Sequence, residues 1–119
     1  MNDTTTTNTF AQAIRSRYEA IKDLPMPLDT HSGSFSAGVL RAKKGPTHAE
    51  LNFASNTKLS VVRYVFKGLS SEEATELYET LLLLADVPHF YVYNIIFDAL
   101  GAPDEENDRS HTRVWNAGG

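Results

Sequence analysis

Cysteine is absent from this chain of 119 residues. Disulfides, thiolate metal sites and thiol nucleophiles are therefore excluded. Long apolar runs are absent too: no stretch approaches the roughly 18 charge-free apolar residues of a membrane helix, and no basic segment leads into an apolar run as in a secretion signal. We therefore expect no membrane partner and residence in the cytoplasm.

Patterns that carry catalytic or cofactor chemistry are scarce as well. The four histidines, at His31, His48, His89 and His111, include no pair with the i, i+4 spacing of a helical zinc site. The chain has no G-x-S-x-G serine motif and no glycine-rich loop of the kind that holds phosphates. We therefore predict no catalytic residue, no cofactor, no metal site and no enzymatic activity.

Charge is unevenly distributed along the chain. Residues 1–70 hold nine Lys or Arg against five Asp or Glu, whereas residues 71–119 hold two against ten, within a net charge of -4. Such a charge distribution can orient an encounter with a charged partner. It is equally consistent with the acidic character that helices and tails often have.

Two capping boxes predict helices. Thr9 with Gln12 begins one helix that runs to about residue 23, and Ser70 with Glu73 begins a second over residues 71–85. Residues 1–8, which include four consecutive threonines, have little to bury and are predicted to be disordered.

Alternating apolar and polar side chains predict three strands between these helices. The strands cover residues 34–44, 47–54 and 59–67, and their short connections favour an antiparallel meander. Residues 102–119 are polar and acidic, and we predict a flexible tail there.

Residues 88–100 allow two interpretations. Their aromatic and β-branched composition favours a strand, whereas Pro88 before them and Gly101 and Pro103 after them favour a helix. We predict the helix. The resulting fold is a single α+β domain over residues 9–101, with an N-terminal helix, a three-stranded antiparallel meander and then two helices packed on the sheet.

Aromatic side chains concentrate in this third helix and near the end of the chain. Phe90, Tyr91, Tyr93 and Trp115 are our candidate partner-binding residues, although a tryptophan in Trp115's position also commonly folds back onto its own domain. A helix that is apolar nearly all round needs a second layer to cover it, so we also expect a homodimer.

The leading functional hypothesis is a macromolecule-binding protein without catalysis of its own. Stand-alone proteins of this size that lack a catalytic motif are often adaptors or inhibitors, including accessory proteins of phage and mobile elements. We expect such a protein to bind another protein or protein complex, and within that class we expect an inhibitor of a host or defence complex.

Basic side chains on the predicted strands support an alternative hypothesis, a nucleic-acid or nucleotide-binding module. Lysines also mark edge strands simply to prevent aggregation. The candidate anion-binding residues are Arg41, Lys43, Lys44, Lys58 and Arg63.

The order helix, three strands, helix resembles that of double-stranded-RNA-binding domains. That resemblance implies phosphate-binding lysines at the start of the second helix. This chain instead has Ser70, Ser71, Glu72 and Glu73 there, and the two carboxylates would repel a nucleic-acid backbone.

Overall fold

The computed structural model describes residues 9–23, 38–55 and 61–117. The segment predicted to be disordered, residues 1–8, lies outside these ranges, as does the start of the first predicted strand. In chain order the described elements are α1 (Thr9–Ile21), β1 (Gly38–Lys44), β2 (Ala49–Ser55), β3 (Val61–Lys67), α2 (Ser71–Leu84), α3 (His89–Leu100), β4 (Glu105–Asn107) and β5 (Thr112–Asn116).

The capping box predicted at the start of α2 is confirmed. The Ser70 Oγ accepts a hydrogen bond from the Glu73 backbone N–H at 3.1 Å, and the Glu73 carboxylate accepts one from the Ser70 backbone N–H at 2.8 Å. Two backbone donors that the helix itself cannot satisfy are thereby paired. The buried stripe of α2 consists of Ala74, Leu77, Thr80, Leu81 and Leu84.

The ambiguous segment after Pro88 is a helix, as its flanks predicted. Gly101 ends α3 with φ 78°, a left-handed conformation that glycine adopts without strain. The helix buries Val92, Ile95 and Ile96. None of the helices in the described ranges has the length and apolar character needed to cross a membrane.

The predicted three-stranded meander is incomplete, because the sheet has five strands in the order β1-β2-β3-β5-β4. β1, β2 and β3 pair antiparallel as expected, but β5 pairs parallel to β3, and β4 pairs antiparallel to β5. Both added strands come from residues that we expected in a flexible tail. A parallel pairing across two intervening helices leaves no local pattern in the sequence, which is why the prediction stopped at three strands.

Burial of Trp115 attaches β5 to the sheet. The side chain is only 3% exposed, and its ring stacks on Phe66 with centroids 5.4 Å apart and meets Phe97 edge-on at 5.5 Å. Its indole Nε1–H donates to the Gly101 carbonyl oxygen at 3.1 Å, so the polar atom of the ring is also satisfied. Trp115 therefore folds back onto its own domain, the second of the two roles considered for it.

The helices cover one face of the sheet. Phe10 of α1 packs on Phe66 of β3, His89 of α3 stacks on Phe53 of β2, and α2 lies against β1 and β2. The alternate strand residues point to the opposite side, which no helix of the described residues covers. We call that side the open face; it carries Arg41, Lys43, Glu50, Asn52, Arg63, Val65, Lys67 and Val114.

Replacing Trp115 tests the attachment of β5. Trp115→Ala should lower the free energy of unfolding by about 3–5 kcal/mol, because it removes a fully packed ring and leaves a cavity. Chemical denaturation measures the change. Arg109→Ala, at an exposed loop position, should stay within about 0.5 kcal/mol of the parent chain. An equally small effect of Trp115→Ala would contradict the packing described here.

Candidate functional site

Two aromatic rings on α3 are exposed to solvent. Phe90 is 48% exposed and Tyr93 is 39% exposed, and both lie outside the buried stripe of α3, which consists of Val92, Ile95 and Ile96. Phe97 follows one turn later and contacts the Tyr93 ring with centroids 4.5 Å apart. Residues spaced by three and four positions share one side of a helix. We call Phe90, Tyr93 and Phe97 the α3 aromatic surface.

Arg113 of β5 borders this surface. Its guanidinium carbon lies 5.8 Å from the centroid of the Tyr93 ring and 6.0 Å from that of Phe97, within cation–π range. Glu106 of β4 holds the same guanidinium through an ion pair of 3.4 Å. The surface therefore combines aromatic rings with an arginine, the residue types that contribute most to binding at protein interfaces.

Of the four residues predicted to bind a partner, Phe90 and Tyr93 are exposed. Tyr91 is half-buried and packs against the core, and Trp115 is buried. Sequence reasoning missed Phe97, which its i+4 spacing from Tyr93 could have revealed, and Arg113, which only the parallel pairing of β5 brings into place.

Strand alternation divides the predicted anion-binding residues. Arg41, Lys43 and Arg63 lie on the open face, where Lys67, which the prediction left out, joins them. Lys44 is one position along β1 from Lys43, so its side chain points to the helix-covered side. Lys58 lies outside the described residues.

A nearly buried carboxylate lies at the centre of the open face. Glu50 is 7% exposed and accepts hydrogen bonds from Arg63 at 3.0 Å, His48 at 3.1 Å and Asn52 at 3.2 Å. Burial alone would raise the pKa of Glu50, but these hydrogen bonds, led by that of Arg63, outweigh it and lower the pKa below its usual value. The ionised Glu50 carboxylate therefore neutralises much of the positive charge of Arg63.

Other cations of the open face have no such partner. No ion pair joins Arg41, Lys43 or Lys67 to any other side chain of residues 9–23, 38–55 and 61–117. The described strands also offer no aromatic ring on the open face for a base to stack on, since the aromatic residues of β2, β3 and β5 all point toward the helices.

Within the described ranges, Tyr64 and His89 are the pair whose geometry most resembles a catalytic pair. The Tyr64 hydroxyl and the His89 Nε2 lie 2.8 Å apart, and the His89 ring stacks on Phe53 at 4.1 Å. Tyr64 is 0% exposed, so its hydroxyl cannot reach a substrate. Burial lowers the pKa of His89 to about 4 and raises the pKa of Tyr64. Both groups are therefore neutral near pH 7, as a structural hydrogen bond requires.

Within the described ranges, no three acidic or histidine side chains come together in a way that could hold a metal ion.

Comparison with known proteins adds no functional information. No family model, no curated protein and no solved structure matches this chain.

The low pKa of His89 predicts a specific dependence of stability on pH. An unfolded histidine binds its proton with a pKa near 6.5, whereas the folded value is about 4. Between these values the unfolded chain binds more protons, so the free energy of unfolding should fall as the pH is lowered from 6.5 to 4. An NMR titration of the His89 ring measures the folded pKa, and chemical denaturation measures the stability.

The matched variant is His89→Gln, which can still bond to Tyr64 but cannot titrate. Its stability should vary less over this pH interval than that of the parent chain. A His89 ring that titrates near pH 6.5 in the folded protein would contradict the described burial.

Proposed function

We propose that this chain is a small non-enzymatic protein that acts by binding another protein or protein complex through the α3 aromatic surface. The observation that carries the proposal is the exposure of Phe90 and Tyr93 on one side of a helix whose other side is firmly packed. Burying an aliphatic or aromatic side chain contributes about 1.5–3 kcal/mol. Two neighbouring rings therefore offer a partner a substantial gain in free energy.

The surroundings of the two rings suit an interface. Arg113 is held in place by Glu106 and by the rings themselves, so little side-chain entropy would be lost on binding. Asp98 of α3 follows Phe97 directly and pairs with Arg17 of α1 at 3.2 Å, so this exposed ion pair adds charge beside the surface. An aromatic centre with a polar rim is the usual composition of a protein interface.

Within this class we propose an adaptor or an inhibitor. An accessory protein of a phage or mobile element that acts on a host or defence complex is the specific role we favour, on the general ground that small binding proteins without catalytic residues often serve such roles. We also propose that the chain forms a homodimer, since a second copy would cover the same exposed rings.

Removing the rings tests the proposal. Phe90→Ala with Tyr93→Ala should weaken partner binding by at least about 30-fold, as the loss of one hot spot of roughly 2 kcal/mol would. Affinity capture of the tagged protein from its native host, followed by mass spectrometry, identifies the partner and measures how much of it each variant captures. Light scattering at tens of micromolar should show a dimer for the parent chain and a monomer for the double variant.

Leu82→Ala is the matched control, because Leu82 is 45% exposed but belongs to α2 and is not part of the α3 aromatic surface. It should capture the same proteins as the parent chain and keep its mass in solution. If the double variant also captured the same proteins in the same amounts, the α3 aromatic surface would have no part in binding.

A second candidate function is the binding of nucleic acid or a nucleotide on the open face. One observation favours it: strand alternation brings Arg41, Lys43 and Arg63 to the same side of the sheet, where no helix of the described residues covers them. Phosphates bound by such cations would release counterions, which makes affinity depend steeply on salt.

This candidate is tested by titrating labelled single-stranded and duplex nucleic acid at two salt concentrations. Arg41→Ala with Lys43→Ala should weaken binding and reduce its salt dependence by about one unit of log–log slope per lost phosphate contact. Lys44→Ala, on the same strand but on the other side of the sheet, should have less effect. Absence of binding at low salt would leave the protein-binding function alone.

A further inference from the structure

β1 is the long unpaired edge of the sheet. β2 lies on one side of β1, and no strand of the described residues lies on the other. The opposite edge of the sheet belongs to β4, which has only three residues, whereas β1 has seven. An edge of this length presents backbone donors and acceptors to which another strand can bind.

The backbone groups that face outward can be identified from the register. The Gly45 N–H donates to the His48 carbonyl oxygen at 2.8 Å, which makes these two residues a hydrogen-bonded pair of the β1–β2 hairpin. Hydrogen-bonded pairs recur at every second position of an antiparallel ladder. Lys43, Arg41 and Val39 therefore bond to β2, while the N–H and C=O groups of Leu40, Ala42 and Lys44 point away from the sheet.

A cavity of about 250 Å³ adjoins this edge on the helix-covered side. Leu40 of β1 forms part of its wall, together with Phe53, Val87, Pro88 and His89, and Asp86 adds one carboxylate to the lining. Paired residues of neighbouring strands have Cβ atoms about 5 Å apart. A strand added to β1 would therefore place an apolar side chain beside Leu40, at the mouth of this cavity.

On the open face, the same added strand would run beside cations. Arg41 and Lys43 are exposed and form no ion pair within the described residues, with Glu50 as the cross-strand neighbour of Lys43 and its carboxylate bonded to Arg63 and His48. Alternate side chains of an added strand point toward this side, so acidic residues at those positions would meet Arg41 and Lys43. The two sides of the edge thus favour different residue types, apolar on one and acidic on the other.

A second copy of β1 does not suit this edge. Antiparallel pairing of β1 with itself about Ala42 would bring Arg41 beside Lys43 of the other chain, and like charges across strands are destabilising. The cations therefore discourage self-pairing and favour an acidic strand.

We propose that the outer edge of β1 binds an extended acidic peptide segment of a partner protein, which adds to the sheet as a sixth strand. Backbone hydrogen bonds to Leu40, Ala42 and Lys44 hold the segment. Its acidic side chains lie beside Arg41 and Lys43, and an apolar side chain enters the cavity beside Leu40. This site uses other residues than the α3 aromatic surface, so the result of its test does not depend on the function proposed above.

The test uses the full chain and a seven-residue peptide of alternating glutamate and valine. In NMR titration, this peptide should shift the amide signals of Leu40, Ala42 and Lys44, and a matched peptide of lysine and valine should not. Ala42→Pro removes an outward N–H that no other strand uses, a position where an edge strand tolerates proline. It should weaken peptide binding at least about tenfold while the remaining spectrum is preserved.

A second variant keeps the test valid if Ala42→Pro disturbs the fold. Arg41→Glu with Lys43→Glu should reverse the preference, so that the lysine peptide binds and the glutamate peptide does not. Peptide binding that is unaffected by either variant, or amide shifts confined to other strands, would overturn the proposal. A third result would also overturn it: the glutamate peptide binds folded Ala42→Pro as tightly as the parent chain and is displaced by single-stranded nucleic acid. That result would indicate a site that binds polyanions without adding a strand to the sheet.

Discussion

The rest of the structure depends on the burial of Trp115 between Phe66 and Phe97. This contact attaches β5 in parallel beside β3 and makes β3 an interior strand of a five-stranded sheet. It also sets the position of Arg113 against the rings of α3. At the other end of the sheet, the seven-residue strand β1 has β2 as its one neighbour among the described strands. The arginine that borders the α3 aromatic surface is therefore placed by one buried ring of β5.

Local signals in the sequence account for the elements that were predicted correctly. The capping box at Ser70 and Glu73 and the Pro88 and Gly101 flanks of α3 are interactions between near neighbours, and each is visible without knowledge of the fold. The pairing of β5 with β3 is different in kind. It joins residues separated by two helices, and β5 presents only Val114 and Trp115 as apolar side chains, too few for a pattern.

The same distinction applies to the candidate surfaces. Phe90 and Tyr93 could be singled out because aromatic residues on a short helix rarely all fit inside. The basic residues of β1 were recognised as a group, but their separation onto two sides of the sheet depends on strand register, and the partial neutralisation of Arg63 by Glu50 depends on a cross-strand contact. Such long-range pairings leave no local pattern and therefore cannot be predicted from the sequence alone.

Amide hydrogen exchange of β5 tests this account most directly. The Arg63 N–H donates to His111 and the Ala117 N–H donates to Lys67, so the parallel ladder between them directs the N–H groups of Arg113 and Trp115 toward β3. We predict that these two amides exchange as slowly as those of β3 itself. Exchange at the rate of an unstructured peptide, with β2 and β3 still protected, would show that β5 is not part of the sheet and would contradict the account.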